Sequence, residues 1–177
     1  MLTPEARLAL PARSLRAKTQ MVPPGAGWPM VKTNQCLVLN GTNACLEIEN
    51  DRIQFPDGPF TVEAWVKSAG DTNGAILSNI KSGGFSLEVA GTPQFRVQID
   101  AATVTDRRVS NLKPAIGVKA KDRLPAAKWT HLAGVYDGQH IALYVNGQKS
   151  ASTNVTGARL SSDKSLFIGA RPNGPFN

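Results

Sequence analysis

Cysteine, histidine and aromatic residues are scarce in this chain: two Cys, two His and 6% Phe, Trp and Tyr among 177 residues. Each scarcity excludes something. Cys36 and Cys45 have no C-x-x-C partner and no histidine nearby, so they do not make a zinc site. His131 and His140 lie in one apolar segment, and no G-x-S-x-G accompanies them, so Ser-His-Asp chemistry has no foothold. Apolar runs are short, and none approaches the roughly 18 to 20 residues a membrane span needs. The opening MLTPEARLALPARSLRAKTQ scatters basic residues and lacks the continuous apolar stretch of a secretion signal. The glycine pairs form no phosphate loop, no internal repeat is visible, and no helical period persists beyond residue 30.

Acidic residues are also in the minority, 13 against 20 basic, for a net charge of +7. The excess is local. Residues 1–20 carry Arg7, Arg13, Arg16 and Lys18 against Glu5, and residues 105–128 carry seven basic residues against Asp106 and Asp122. Two basic segments allow contact with a polyanion. Neither is interleaved with aromatics, so a solvated tail and a solvated loop are the simpler reading, and no specific nucleic-acid partner is expected.

What is present is strand-forming. In WTHLAGVYDGQHIALYVNGQ (129–148), Asp137-Gly138 and Asn146-Gly147 are tight-turn pairs that tolerate positive φ. They predict a three-strand meander over 129–136, 139–145 and 148–153, with a two-residue turn at 137–138. That register sets Leu132 against Leu143 on an aliphatic core face and His131 against Tyr144 on a mixed outer face. Upstream, strands are expected at 35–39, 42–49, 60–67, 75–80, 84–90 and 94–100, and one more at 165–170, separated by Gly and Pro turns. Residues 1–30 read as a leader, a short helix over LTPEARLAL followed by an extended MVPPGAGWP. Residues 101–128 read as a long basic loop. The fold class is all-β, a sandwich or jelly roll.

FTVEAWVK (60–67), KWTHLAGVYDGQHIALYVNGQ (128–148) and LFIGA (166–170), in this order, resemble the laminin G-like domains of the concanavalin A-like lectin/glucanase superfamily, with pentraxins as more distant relatives. CLVLNGTNACLEI (36–48) sits where that family has its first two strands. The resemblance covers about residues 35–170 and implies a two-sheet antiparallel jelly roll over 31–177 with a basic insertion at 101–128. It also implies a non-catalytic module of a larger secreted or cell-envelope protein that binds a glycan or a protein, or packs on other domains of its parent chain. No cofactor is expected. The family's occasional calcium ion leaves a structural calcium open, although the oxygen-rich loops at Asn40–Asn43 and Asp71-Thr72-Asn73 carry no ligand motif. The family usually continues with a closing strand after LFIGA. The chain ends at RPNGPFN, so a fragment whose jelly roll lacks its last strand is the expectation.

Three residue sets are candidates. If Asn40-Gly41 is a two-residue turn, Cys36 faces Cys45 at a non-hydrogen-bonded pair, at the short end of the spacing a disulfide accepts. A bridge would imply an oxidising compartment, extracellular, periplasmic or cell-envelope; two buried free thiols are the alternative. Glu47, Glu49 and Asp51 alternate in LEIEND as glucanase carboxylates do, but residue types and spacing differ from that pattern, and solvent-facing acids on a half-buried strand explain them. Finally, Trp65 shares a strand face with Thr61, Glu63 and Lys67, and Trp129, His131 and Tyr144 lie opposite the aliphatic face of the meander. If these strands share a sheet, the four form an aromatic strip able to stack on sugar rings; burial of both tryptophans beneath the 101–128 loop or the leader is the structural alternative.

Overall fold

The computed structural model describes residues 13–15, 18–22, 34–41, 44–53, 55, 58–70, 73–81, 83–100 and 115–172. Its first strands are β1 (Arg13–Leu15), β2 (Lys18–Val22), β3 (Asn34–Val38), β4 (Cys45–Ile48), β5 (Phe60–Lys67), β6 (Gly74–Ser78) and β7 (Phe85–Ala90). The remainder are β8 (Thr92–Asp100), β9 (Ala115–Lys119), β10 (Trp129–Tyr136), β11 (His140–Val145), β12 (Gln148–Asn154), β13 (Ala158–Arg159) and β14 (Leu166–Ile168). The described elements are strands apart from one short 3-10 turn at Asn50–Arg52.

A large sheet runs β1-β4-β14-β6-β7-β8, with β13 and β9 along successive stretches of β8. A smaller sheet runs β12-β11-β10-β5, and β2 pairs with β3. All these ladders are antiparallel. The large and small sheets bury their inner faces against each other, as the period-two alternation requires. Phe85, Leu87, Phe95, Val97 and Ile99 from the large sheet meet Leu132, Tyr136, Ile141 and Leu143 from the small one. Phe60 ties the layers together, its ring centroid 5.2 Å from Phe85, 5.9 Å from Tyr136 and 6.1 Å from Phe95. The Arg159 guanidinium lies 5.2 Å from the same ring centroid and caps this aromatic group.

The meander forms, but its first turn differs from the expectation. Tyr136 pairs with Ile141 and Leu132 with Val145, a shift of two residues. The cause is the Asp137 carboxylate. Its Oδ1 accepts the Gln139 and His140 backbone N–H groups at 2.8 and 2.6 Å, which moves the apex to Gly138-Gln139. Only Gly138 then needs positive φ, 97°. A shift of two preserves the faces, so the aliphatic and mixed sides stay as expected, but Tyr144 lies opposite Ala133 and not His131. The second turn is as expected, with Asn146 at φ 50° and Gly147 at φ 78°.

Other expectations are corrected. Strand β3 does not form a hairpin with β4. It pairs with β2, so Cys36 faces Gln20, while Cys45 faces Leu15 of β1; both cysteines are free thiols. Asn40 explains why no tight turn forms, since its side chain accepts the Ala44 N–H at 3.0 Å and holds a wider connection. The segment read as a leader supplies β1 and β2. Strand β1 covers the free edge of β4, which would otherwise expose unpaired backbone groups. The segment read as one basic loop contains β9, which extends the large sheet through Phe95–Val118 and neighbouring pairs. The expected N-terminal helix and the residues after Pro172 lie outside the described residues.

Candidate functional site

The outer face of the small sheet brings together most of the expected strip. Strand β5 alternates half-buried and exposed positions throughout, with Thr61, Glu63, Trp65 and Lys67 outward. It pairs with β10 so that Trp65 faces His131 and Lys67 faces Trp129. Trp65 and Trp129 remain 56% and 39% exposed. Among the described residues, they are the exposed aromatics; Phe55, Phe60, Phe85, Phe95 and Tyr136 pack in the core. Of the two segments named as an alternative cover, residues 23–30 and 101–114 lie outside the described residues.

The Trp65 indole and the His131 imidazole lie 5.2 Å apart at 48°. His131 Nε2 is 3.3 Å from Glu63 Oε2, so the imidazole is held between indole and carboxylate. The backbone of His131 is fixed from the other side: its N–H donates to Asn146 Oδ1 at 2.9 Å, and Asn146 N–H donates to its carbonyl at 2.8 Å. The left-handed turn residue thus anchors the ring. In the next row Tyr144, Ala133 and Glu63 lie side by side, with Lys149 beyond Tyr144. Ala133 is buried between these larger neighbours. The face carries an indole, a phenol, an imidazole, a carboxylate and the amines of Lys67 and Lys149. Glu63 is the single carboxylate on the four strands of this sheet, so the face does not supply the carboxyl pair of a glycosidase.

The LEIEND carboxylates do not assemble either. Glu47 is half-buried in β4, and the alternation ends at Ile48, because Asn50–Arg52 turns into the 3-10 segment and takes Asp51 off the strand. The first calcium loop retains Asn40 as a backbone acceptor, and in the second Asn73 Oδ1 accepts the Gly91 N–H at 2.7 Å. Among the described residues, no group of three His, Cys, Asp or Glu side chains is placed to hold a metal.

Two features escaped the sequence. A cleft of about 460 Å³ opens at the sheet end nearest Trp129, lined by Ser68, Asn73, Val89, Arg123 and Leu124. It is assembled from three loops with no common motif. The second feature is Glu88, fully buried on the outer side of the large sheet. In FSLEVA it reads as an ordinary solvent-facing residue between core positions. Its carboxylate accepts bonds from Ser86 Oγ and Arg171 Nε, each at 2.8 Å, and from the Gln94 amide, with Arg96 Nη1 at 3.5 Å. Burial alone raises the Glu88 pKa, but the Ser86 hydroxyl and the charges of Arg171 and Arg96 outweigh it and hold the carboxyl below its usual range. A carboxylate whose folded pKa is lowered stabilises the fold above its unfolded pKa, about 4.3, and that contribution disappears as pH falls through the lower folded value. Thermal unfolding of wild type should therefore lose stability below about pH 4.5, and Glu88→Gln should flatten that slope and lower the melting temperature at neutral pH. An unchanged slope in Glu88→Gln would contradict the assignment.

A two-sheet antiparallel jelly roll with a mixed aromatic outer face defines a lectin-like class of domain. A family model described as the concanavalin A-like lectin/glucanases superfamily, of laminin G type, matches residues 40–177, and the chain belongs to that family. No curated protein matches it in sequence. Among solved structures it is similar to domain 4 of AbnA, an extracellular GH43 arabinanase from Geobacillus stearothermophilus in complex with arabinotriose. The identity is 17% and the TM-score 0.62, over 89% of this chain and 69% of that one. It is also similar to domains LG4-5 of the mouse laminin alpha1 chain, at 17% identity and TM-score 0.53, over 68% of this chain and 30% of that one. At these identities the likeness concerns the fold.

Proposed function

We propose that this chain is a non-catalytic carbohydrate-binding module of a larger extracellular or cell-envelope protein, and that it grips a glycan with the outer face of the small sheet. The observation that carries this reading is the half-exposed Trp65, braced by His131 and Glu63 and followed along the sheet by Trp129. An indole in water is costly unless it has a partner, and a sugar ring's C–H face is a partner it stacks on well. Glu63, His131, Lys67 and Tyr144 then serve the hydroxyls. The relation to a domain solved with arabinotriose supports a saccharide as the ligand class.

The test is retention of the folded chain on immobilised neutral polysaccharides, arabinan among them, at low salt and in 0.5 M salt. Stacking and hydroxyl bonds are insensitive to screening, whereas attraction through the basic segments is not. The expected result is retention on at least one neutral glycan that survives high salt. Retention restricted to acidic polymers at low salt would reduce the interaction to charge. Absence of retention throughout would favour docking of a protein domain on the same tryptophans.

A further inference from the structure

The outer face of the large sheet is built from different chemistry. Phe85, Leu87 and Val89 turn into the sandwich, so Ser86 and Glu88 project from the opposite side of β7. The ladders place Arg96 beside Ser86 and Gln94 beside Glu88, then Gly117 and Lys119 beside Arg96 and Gln94. Arg171 reaches the group from the segment after β14 and donates through Nε and Nη2 to Glu88 Oε2.

Glu88 is fully buried, but the Arg96 and Arg171 side chains stay 37% and 41% exposed. The carboxylate is saturated by Ser86, Gln94 and both arginines, so it has no capacity left for a ligand. The guanidiniums do have capacity. Among the described residues, Arg171 commits one edge to Glu88 and Arg96 makes a single contact, which leaves N–H donors on both. Gly117 makes room for this, because a Cβ there would come within 2.9 Å of Arg96 Cγ. Two arginines and the exposed Lys119 against one buried acid give a positive surface. A buried ion pair stabilises a fold no better than an apolar replacement of the same shape. What it supplies here is orientation, since a guanidinium held along one edge presents the other in a fixed plane.

We propose that Arg96 and Arg171 form a second binding site, which takes the carboxylate of an acidic sugar, a uronate, with Glu88 as the positioning residue. Planar guanidinium edges match a planar carboxylate through paired N–H bonds. The saccharide identity of this ligand rests on the reading of the chain as a carbohydrate-binding module, but the site lies on the opposite face from Trp65, so the two stand or fall separately.

The experiment is calorimetric titration of the full chain with trigalacturonate and with its methyl ester, at 50 and 150 mM salt. Trigalacturonate should bind, and the ester should bind at least tenfold more weakly. Arg96→Gln, and Arg171→Lys, which keeps a charge beside Glu88 so that the fold survives, should each weaken trigalacturonate about tenfold. Both variants should leave neutral-glycan retention intact, and Trp65→Ala should leave trigalacturonate binding intact. Equal binding of acid and ester would overturn the proposal, as would full binding by both arginine variants, loss in Arg107→Gln/Arg108→Gln instead, or no binding by folded wild type. If neutral glycans are still retained in the last case, only this site falls.

Discussion

Gly134→Val should destabilise the domain by about 3 kcal/mol, the upper end of what overpacking a core costs, and lower its melting temperature by roughly 6 to 12 °C for a chain of this size. Gly134 lies in the middle of β10 and faces inward between Leu132 and Tyr136. Across the sandwich, the fully buried Phe95 ring rests directly on its backbone. A Cβ at this position would come within 2.3 Å of Phe95 Cδ2 and 2.5 Å of Cγ. Rotation offers the ring no escape, because Phe60 already sits against it. Strands ordinarily exclude glycine, which has no side chain to pack, and its place here lets the Phe95 ring approach the backbone closely. A double variant with Phe95→Leu supplies the control. If the clash is the cause, the pair should cost less than the sum of the single changes, and a strictly additive result would contradict this packing. Urea or thermal unfolding of the four proteins measures it.

The second large effect is on binding. Trp65→Ala should weaken the glycan interaction by roughly thirtyfold. A sugar ring lying on the indole would cover on the order of 80 Å² of apolar surface, worth about 2 kcal/mol. The same change should leave stability within about 0.5 kcal/mol, since the side chain projects from the outer face of edge strand β5. Trp129→Ala should weaken binding less, because Trp129 is the less exposed of the two. Isothermal titration against the retained polysaccharide's oligosaccharide, with unfolding curves as the control, separates lost contact from lost fold. Equal affinity in Trp65→Ala would remove the indole from the site.

The fold was readable because the alternation in FTVEAWVK and the meander is strict, and period two alone decides which side chains face the core. That logic puts Trp65 and His131 each on the outer side of its own strand, and the adjacency of β5 and β10 joins them in one row. Register was less readable. The Asp137 carboxylate competes for backbone N–H groups and moves a turn by one residue, and Asn40 widens another connection, which separates Cys36 from Cys45. Such side-chain-to-backbone bonds leave no trace in hydrophobic periodicity. Glu88 and the loop cleft were invisible for a related reason. They depend on residues 83 positions apart, such as Glu88 and Arg171, and on loops that only the closed sandwich brings together.

The proposed site puts glycan on the outer face of the small sheet. The most direct measurement is an amide and indole nuclear magnetic resonance titration of the labelled chain with a neutral oligosaccharide. The expected result is that perturbed signals cluster at Trp65, Trp129, His131, Tyr144 and their strand neighbours, with the Trp65 indole N–H among the largest. Perturbations confined to the Ser68–Arg123 cleft, or to the Glu88 face, would place the neutral-glycan site elsewhere and contradict the account.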